Sequence, residues 1–243
     1  MIDHPKVSHG DPARWNSFPG FSLLFDIGAE HHKQDELLEH LDYTSGIPVF
    51  DVLAHEVQTG LKELSQHSFC PLPKSSYHVT VWDGLNCENS SSLNLAGQDK
   101  FRTAVLKLPE SLTVIASEFA DCEFPEGTIK FCIEAMEVRG TAIVAALTSE
   151  GKAMQSALTE VERFREALSK DWQDRFGKPL LLPWRPHISL GYFADLATVP
   201  AALSILEERQ VQFLAPLAGL RLELNHISLY GFSDMASFFK TNL

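Results

Sequence analysis

Two stretches decide the reading of this chain: SYHVTVW at residues 76–82 and HISLGYF at residues 187–193. Both are rich in β-branched and aromatic residues. Both are entered through proline, Pro71 and Pro73 before the first and Pro186 before the second. Such runs predict strands. Side chains two apart on a strand share a face, so His78 stands with Thr80 and His187 with Ser189, while Val79 and Ile188 turn to the core. The same parity puts Trp82 and Phe193 beside the histidines, where each is a candidate to stack on a base or line a cleft rim. Tyr77 and Tyr192 fall on the core-facing side, with Gly191 a place where a bulge can enter. Asp83 also falls on the face away from His78 and is read as bracing a loop.

Spacing by itself does not select these pairs. With ten histidines in a chain about one-eighth Ser and Thr, roughly one His-x-Ser/Thr is expected by chance, and three occur, at His78, His187 and His226. Strand context and the proline approach single out the first two. His226-Ile227-Ser228 lies on a closing strand without that approach and is read as a decoy. His31 and His32 are adjacent, point in different directions and sit in a polar stretch, so they read as solvated loop.

Outward from the two strands, residues 1–19 are polar and broken by Pro5, Pro12 and Pro19, an arm or cover rather than core. FSLLFDI (21–27) reads as a buried strand. Apolar residues at 49, 50, 53, 57, 61 and 64 have helical spacing over 49–67. The stretch 84–99 has loop composition. A short helix follows at 99–108, then strand-like runs at 112–120, 128–137 and 142–147. Residues 151–176 give the longest helix, stopped by Gly177 and Pro179. A short helix at 200–209 and strands at 211–215 and 220–230 close the chain. Each half thus runs strand, helix, then a Pro-bounded strand with His-x-Thr/Ser. The expected fold is α+β, a single domain over 1–243 with two pseudo-symmetric lobes, and the absence of a βαβ rhythm argues against a doubly wound sheet.

Two imidazole–hydroxyl pairs facing one cleft suit phosphoryl transfer. A neutral imidazole takes a proton from the attacking hydroxyl or water, and a protonated one gives a proton to the leaving oxygen; both roles fit a group titrating near ~6.5. Thr80 and Ser189 donate hydrogen bonds to the non-bridging phosphate oxygens. Arg185 and Lys74 flank the two motifs and are candidates to attract phosphate, and Tyr230 is a candidate for the cleft mouth. The scheme requires no metal and no cofactor, and no HExxH, His-x-His or acidic cluster with ligand spacing is present.

PLPKSSYHVTVWDG (71–84) and WRPHISLGYF (184–193) resemble the paired motifs of the 2H phosphoesterase superfamily, which includes RNA ligase-like proteins and cyclic nucleotide phosphodiesterases. The long first motif and the tail LYGFSDMASFF (229–239) are similar to an uncharacterised branch, a domain of unknown function. The resemblance implies a duplicated fold in which two antiparallel sheets meet in a cleft, with helices packed outside. It implies cleavage of 2′,3′-cyclic phosphates or related 2′–5′ or 3′–5′ phosphodiesters, with His78 and His187 as acid and base and Thr80 and Ser189 as phosphate holders. The competing reading is a non-catalytic module that binds nucleotides or RNA ends in the same cleft. The segment between the motifs is long for the superfamily.

A formal net charge of −12, without a basic stripe, argues against binding long duplex nucleic acid. A small phosphodiester or oligonucleotide substrate remains compatible with it. No apolar run reaches the ~18–20 residues of a membrane span, and the N-terminal stretch has no apolar h-region. The expectation is a cytoplasmic monomer without membrane association. Cys70, Cys87, Cys122 and Cys132 show no CxxC spacing and are expected to be reduced, mostly buried thiols.

Overall fold

In the computed structural model, the described residues are 4–8, 14–26, 47–61, 69–149, 152–179 and 183–241. His31, His32, Ile27 and the end of the 49–67 helix prediction lie outside them. All strand pairs are antiparallel, and the fold is α+β. A small ribbon pairs β1 (Val7–Ser8) with β2 (Arg14–Trp15). The first sheet has the order β11-β10-β3-β5, formed by Phe238–Thr241, His226–Phe232, Gly20–Asp26 and Thr80–Asn86. The second has the order β4-β8-β7-β6-β9, formed by Phe69–Pro71, His187–Phe193, Ala142–Ser149, Ile129–Arg139 and Leu222–Leu224. One His-x-Thr/Ser motif enters each sheet.

Helices cover the sheets by exchange between the halves. Helix α1 (Pro48–Gly60) follows β3 of the first sheet yet packs against β8 of the second. The long helix, Lys152–Phe176, follows β7 of the second sheet and packs against β5 of the first. Its end is set by Gly177, at φ 69°, whose N–H donates to the Gln173 carbonyl. In chain order, α2 (Leu95–Val105) and α3 (Leu112–Ala116) precede this long helix, α4. Helix α5 (Val199–Leu214) lies on β6. The long helix packs on β6 of the second sheet as well, so it touches both sheets.

Several local expectations are corrected. The 112–120 run is helical. Leu112, Ile115 and Phe119 are its buried residues, at helical spacing, while Val114 is exposed. β-branched content there suggested a strand, and the period of burial decides otherwise. The 211–215 run continues α5, with Phe213 buried and Val211 exposed. The long segment between the motifs contains α2, which packs on α4, and α3, which packs on β10 and β11. Residues 84–86, expected as loop, extend β5, with Leu85 fully buried. The start of the first motif, Lys74–Ser76, is a 3-10 turn. The arm is partly core: Val7 and Phe18 are buried, and Phe18 stacks on Phe232. Of the four free thiols only Cys70 is buried; Cys87 is exposed.

Candidate active site

His78 precedes β5 and His187 begins β8, and the two sites are built alike. His78 Nδ1 lies 2.7 Å from the carbonyl oxygen of Ser76. His187 Nδ1 lies 2.8 Å from that of Arg185. A carbonyl only accepts, so each Nδ1 carries the proton and donates it. The neutral tautomer is thereby set, and each Nε2 keeps the free lone pair. In both cases the acceptor is the backbone two residues upstream, held by the proline approach that marked the motifs in the sequence.

Three residues after each histidine the strand carries a bulge. Leu23 pairs with Trp82 and Leu24 with Thr80, leaving Val81 extra in β5. Ile143 pairs with Gly191 and Val144 with Ser189, leaving Leu190 extra in β8. An inserted residue shifts the alternation of faces beyond it. Trp82 and Phe193, expected on the histidine face, are instead fully buried on the opposite side. Trp82 packs against Trp172 of α4 and donates from Nε1 to Ser169 Oγ at 3.1 Å. Phe193 packs on Phe69, ring centroids 5.0 Å apart. The site-facing assignment of these two aromatics is therefore wrong.

The residues assigned to the far face move the other way. Tyr192 donates from its phenol to Ser189 Oγ at 3.4 Å. Asp83 is exposed and accepts from Ser22 Oγ at 3.3 Å. Thr80, Ser189 and both histidines are half-buried. Arg185 is exposed, and its carbonyl accepts both from His187 and from Arg139 Nη1, at 3.0 Å. Lys74 is paired with Asp51 at 2.8 Å. Tyr230 is buried and, with Phe238 and Tyr77, lines a small cavity beside His78. His226 stands exposed opposite Asp26.

The two motifs are tied together through Trp184. Its indole N–H, three residues ahead of His187, donates to the Thr80 carbonyl at 3.0 Å. Arg165 of α4 lies 5.4 Å over the Trp184 ring and donates to the carbonyl of the bulged Val81. Thr80 and Val81 lie on an edge strand, whose outward carbonyls would otherwise lack partners. Phe238 of β11 packs on the His78 ring, centroids 4.7 Å apart.

Burial pushes the His78 imidazole down to about 4; the charges of His187 and Lys6 act in the same direction, and the Ser76 carbonyl opposes them. Burial also lowers His187, helped by Arg139 and Lys6 and opposed by the Arg185 carbonyl and Glu137. Both imidazoles are therefore neutral at pH 7 in the free protein. Lys6 acts on both, which brings the arm into the site. Sequence reasoning missed Lys6, Arg139, Trp184, Tyr192 and Phe238. Trp184 and Tyr192 stood inside the quoted motif, but their partners lie elsewhere in the chain. Among the described residues no group of three or more His, Cys, Asp or Glu is arranged to hold a metal ion. Nor is any helix there long and apolar enough to cross a membrane.

No protein-family model and no curated protein matches the sequence. Solved structures do resemble the fold. The E. coli LigT apo structure aligns at TM-score 0.45 and 11% identity, covering 93% of this chain and 96% of that one. Usb1 from Kluyveromyces marxianus aligns at TM-score 0.42 and 12% identity, covering 93% and 98%. ATU0111 from Agrobacterium tumefaciens, a conserved protein of unknown function, aligns at TM-score 0.59 and 16% identity over 96% of this chain and 89% of that one. The chain shares with ATU0111 an α+β fold that runs through nearly the whole of both proteins.

Proposed function

We propose that the protein is a phosphodiesterase of the 2H type, hydrolysing a 2′,3′-cyclic phosphate or a related 2′–5′ or 3′–5′ diester of a nucleotide or short oligonucleotide. One observation carries this reading: two imidazoles on separate sheets, each with Nδ1 bonded to the carbonyl two residues upstream and Nε2 left free. One Nε2 accepts a proton from water as its oxygen bonds to phosphorus. The other, protonated, delivers a proton to the oxygen whose bond to phosphorus breaks. Thr80 and Ser189 donate to the non-bridging oxygens. Because Tyr192 donates to Ser189 Oγ, the Ser189 hydroxyl proton is free to point at phosphate. The substrate's negative charge raises both imidazoles and so helps one of them hold its proton. The exposed Arg185 guanidinium is assigned to the approach of the anion, and the reaction is read as independent of metal.

A second reading has one observation in its favour. With both histidines neutral near pH 7 in the free protein, the cleft serves equally well to bind a nucleotide or an RNA end without turnover. Incubation with 2′,3′-cyclic nucleotides, 2′–5′ and 3′–5′ dinucleotides and cyclic dinucleotides in EDTA separates the two. Turnover in EDTA that falls about 10²–10⁴-fold in both His78→Ala and His187→Ala supports the hydrolase. Loss of turnover on adding EDTA overturns the metal-independent scheme, and binding without cleavage establishes the module.

A further inference from the structure

The N-terminal arm was expected to be cover, yet it places one cation against Tyr192 of the second motif, where its charge lowers both histidines. Lys6 is held on the main chain from two sides. Its N–H donates to His4 Nδ1 at 3.1 Å, and its carbonyl accepts from the Asn16 N–H at 3.0 Å. His4 is in turn fixed to the second sheet, with Nε2 2.7 Å from Thr141 Oγ1 at the β6–β7 turn. Phe18 ties the same arm to the first sheet, stacking on Phe232 and donating from its N–H to the Ser233 carbonyl. Val7, the next residue, is fully buried and anchors the ribbon. The arm therefore spans both sheets, and the direction of the Lys6 side chain is set by its neighbours.

The Lys6 ammonium ends 4.8 Å from the Tyr192 ring centroid and 5.0 Å from that of Phe18. Tyr192, over whose ring the ammonium lies, donates from its phenol to Ser189 Oγ. Burial works against its charge, but Tyr192, Asp83 and Glu88 outweigh that and raise it above the ordinary lysine value, so it is charged at neutral pH. Among the described residues no carboxylate forms an ion pair with it. A part-buried cation without an ion pair, lying over the ring whose phenol donates to Ser189 Oγ, is placed to receive an anion.

Resting on the phosphodiesterase reading above, we propose that Lys6 is a substrate-contacting residue of the cleft, its ammonium bonding a non-bridging oxygen of the phosphate that His78 and His187 act on. The cation comes from a strap outside both His-x-Thr/Ser lobes. It stands at the second-motif end of the site, next to Ser189, where charge accumulates as phosphorus is attacked.

The bland account is that the lysine stem only covers Tyr192 and Phe18. Lys6→Met keeps that stem and removes the charge; Lys6→Arg keeps the charge. With the full chain, kcat and KM on the cleaved diester and the Kd for inorganic phosphate are compared among wild type, K6M and K6R. K6M is expected to lose roughly ten- to a hundredfold in kcat/KM and in phosphate affinity, and K6R to recover most of both. The ring titrations of His78 and His187, followed by NMR without ligand, are expected to move up in K6M and to stay in place in K6R. K6M with wild-type kinetics and phosphate affinity overturns the role of Lys6 while leaving the hydrolase reading intact. A wild-type protein that binds phosphate but cleaves nothing overturns the hydrolase; the phosphate affinity of K6M then supports Lys6 if reduced and overturns it if unchanged. A wild-type protein that binds no phosphate overturns both.

Discussion

The chemistry of each imidazole is decided by a backbone oxygen two residues away. With Nδ1 donating to Ser76 or Arg185, the lone pair is on Nε2 in both, and burial keeps both neutral near pH 7. This has a direct kinetic consequence. A mechanism that needs one imidazole charged and one neutral has, in the free protein, its maximum between the two lowered values. The profile of kcat/KM is expected to peak below pH 6.5, with its acidic limb near the His78 value of about 4. The profile of kcat, which reports the complex, is expected to lie at higher pH, because bound phosphate raises both imidazoles. A kcat/KM maximum well above neutrality would contradict the electrostatic description of the site. The two His-x-Thr/Ser stretches were legible in the sequence as local motifs, although the first strand begins at Thr80, two residues after His78. The place of Tyr192 was only hinted at by Gly191, and that of Asp83 not at all, because parity fails across a bulge.

At the level of elements, the bulges in β5 and β8 do the same work at the same offset. Beyond each bulge an aromatic that simple alternation places with the histidine, Trp82 or Phe193, is fully buried. Gly191 belongs to this arrangement: a Cβ there would lie 2.3 Å from the Phe69 ring. The link between the elements is the Trp184 indole on Thr80. Trp184→Phe removes that bond while keeping an aromatic ring against Phe25 and Arg165. The expected loss of stability is about 1 kcal/mol, measurable by urea unfolding. The expected loss of kcat is larger than that of Trp82→Phe, which removes a comparable buried bond to Ser169 on the far side of β5. Equal effects on kcat would mean that Trp184 does not position the motifs. Helices with long periodic patterns, such as α4, were readable from sequence. Short segments such as 112–116 were not, since β-branched residues suggest a strand while the burial period of Leu112, Ile115 and Phe119 is helical.

On the scale of the molecule, acid stability follows from the same buried histidines. Between about 4 and the ordinary 6.5, unfolded His78 binds a proton that folded His78 does not. The unfolded state then binds more protons, so stability falls as pH drops through that window. His187 acts in the same direction. Thermal unfolding midpoints from pH 6.5 down to pH 4 should therefore fall more steeply in wild type than in His78→Gln, carboxylate effects being common to both. Parallel curves would show that His78 is not desolvated in the folded protein. Helix α1 packs onto β8 and α4 onto both β5 and β6, so the packing behind the two motifs draws on both halves of the chain.

The amino-acid sequence by itself determined the α+β class, the strand His187–Phe193, the longest helix and its glycine stop. These depend on periodicity and turn chemistry within a few residues, which local physics settles. Tertiary structure alone decided that the first motif stands at the entry of β5 rather than within it, which aromatics of the motifs are buried, which indole joins the motifs, and that Lys6 of the arm lies over the Tyr192 ring. The reason is physical: a bulge, an edge carbonyl and a strap acquire their partners from residues far away in sequence, as with Leu24 and Thr80, Trp184 and Thr80, or His4 and Thr141.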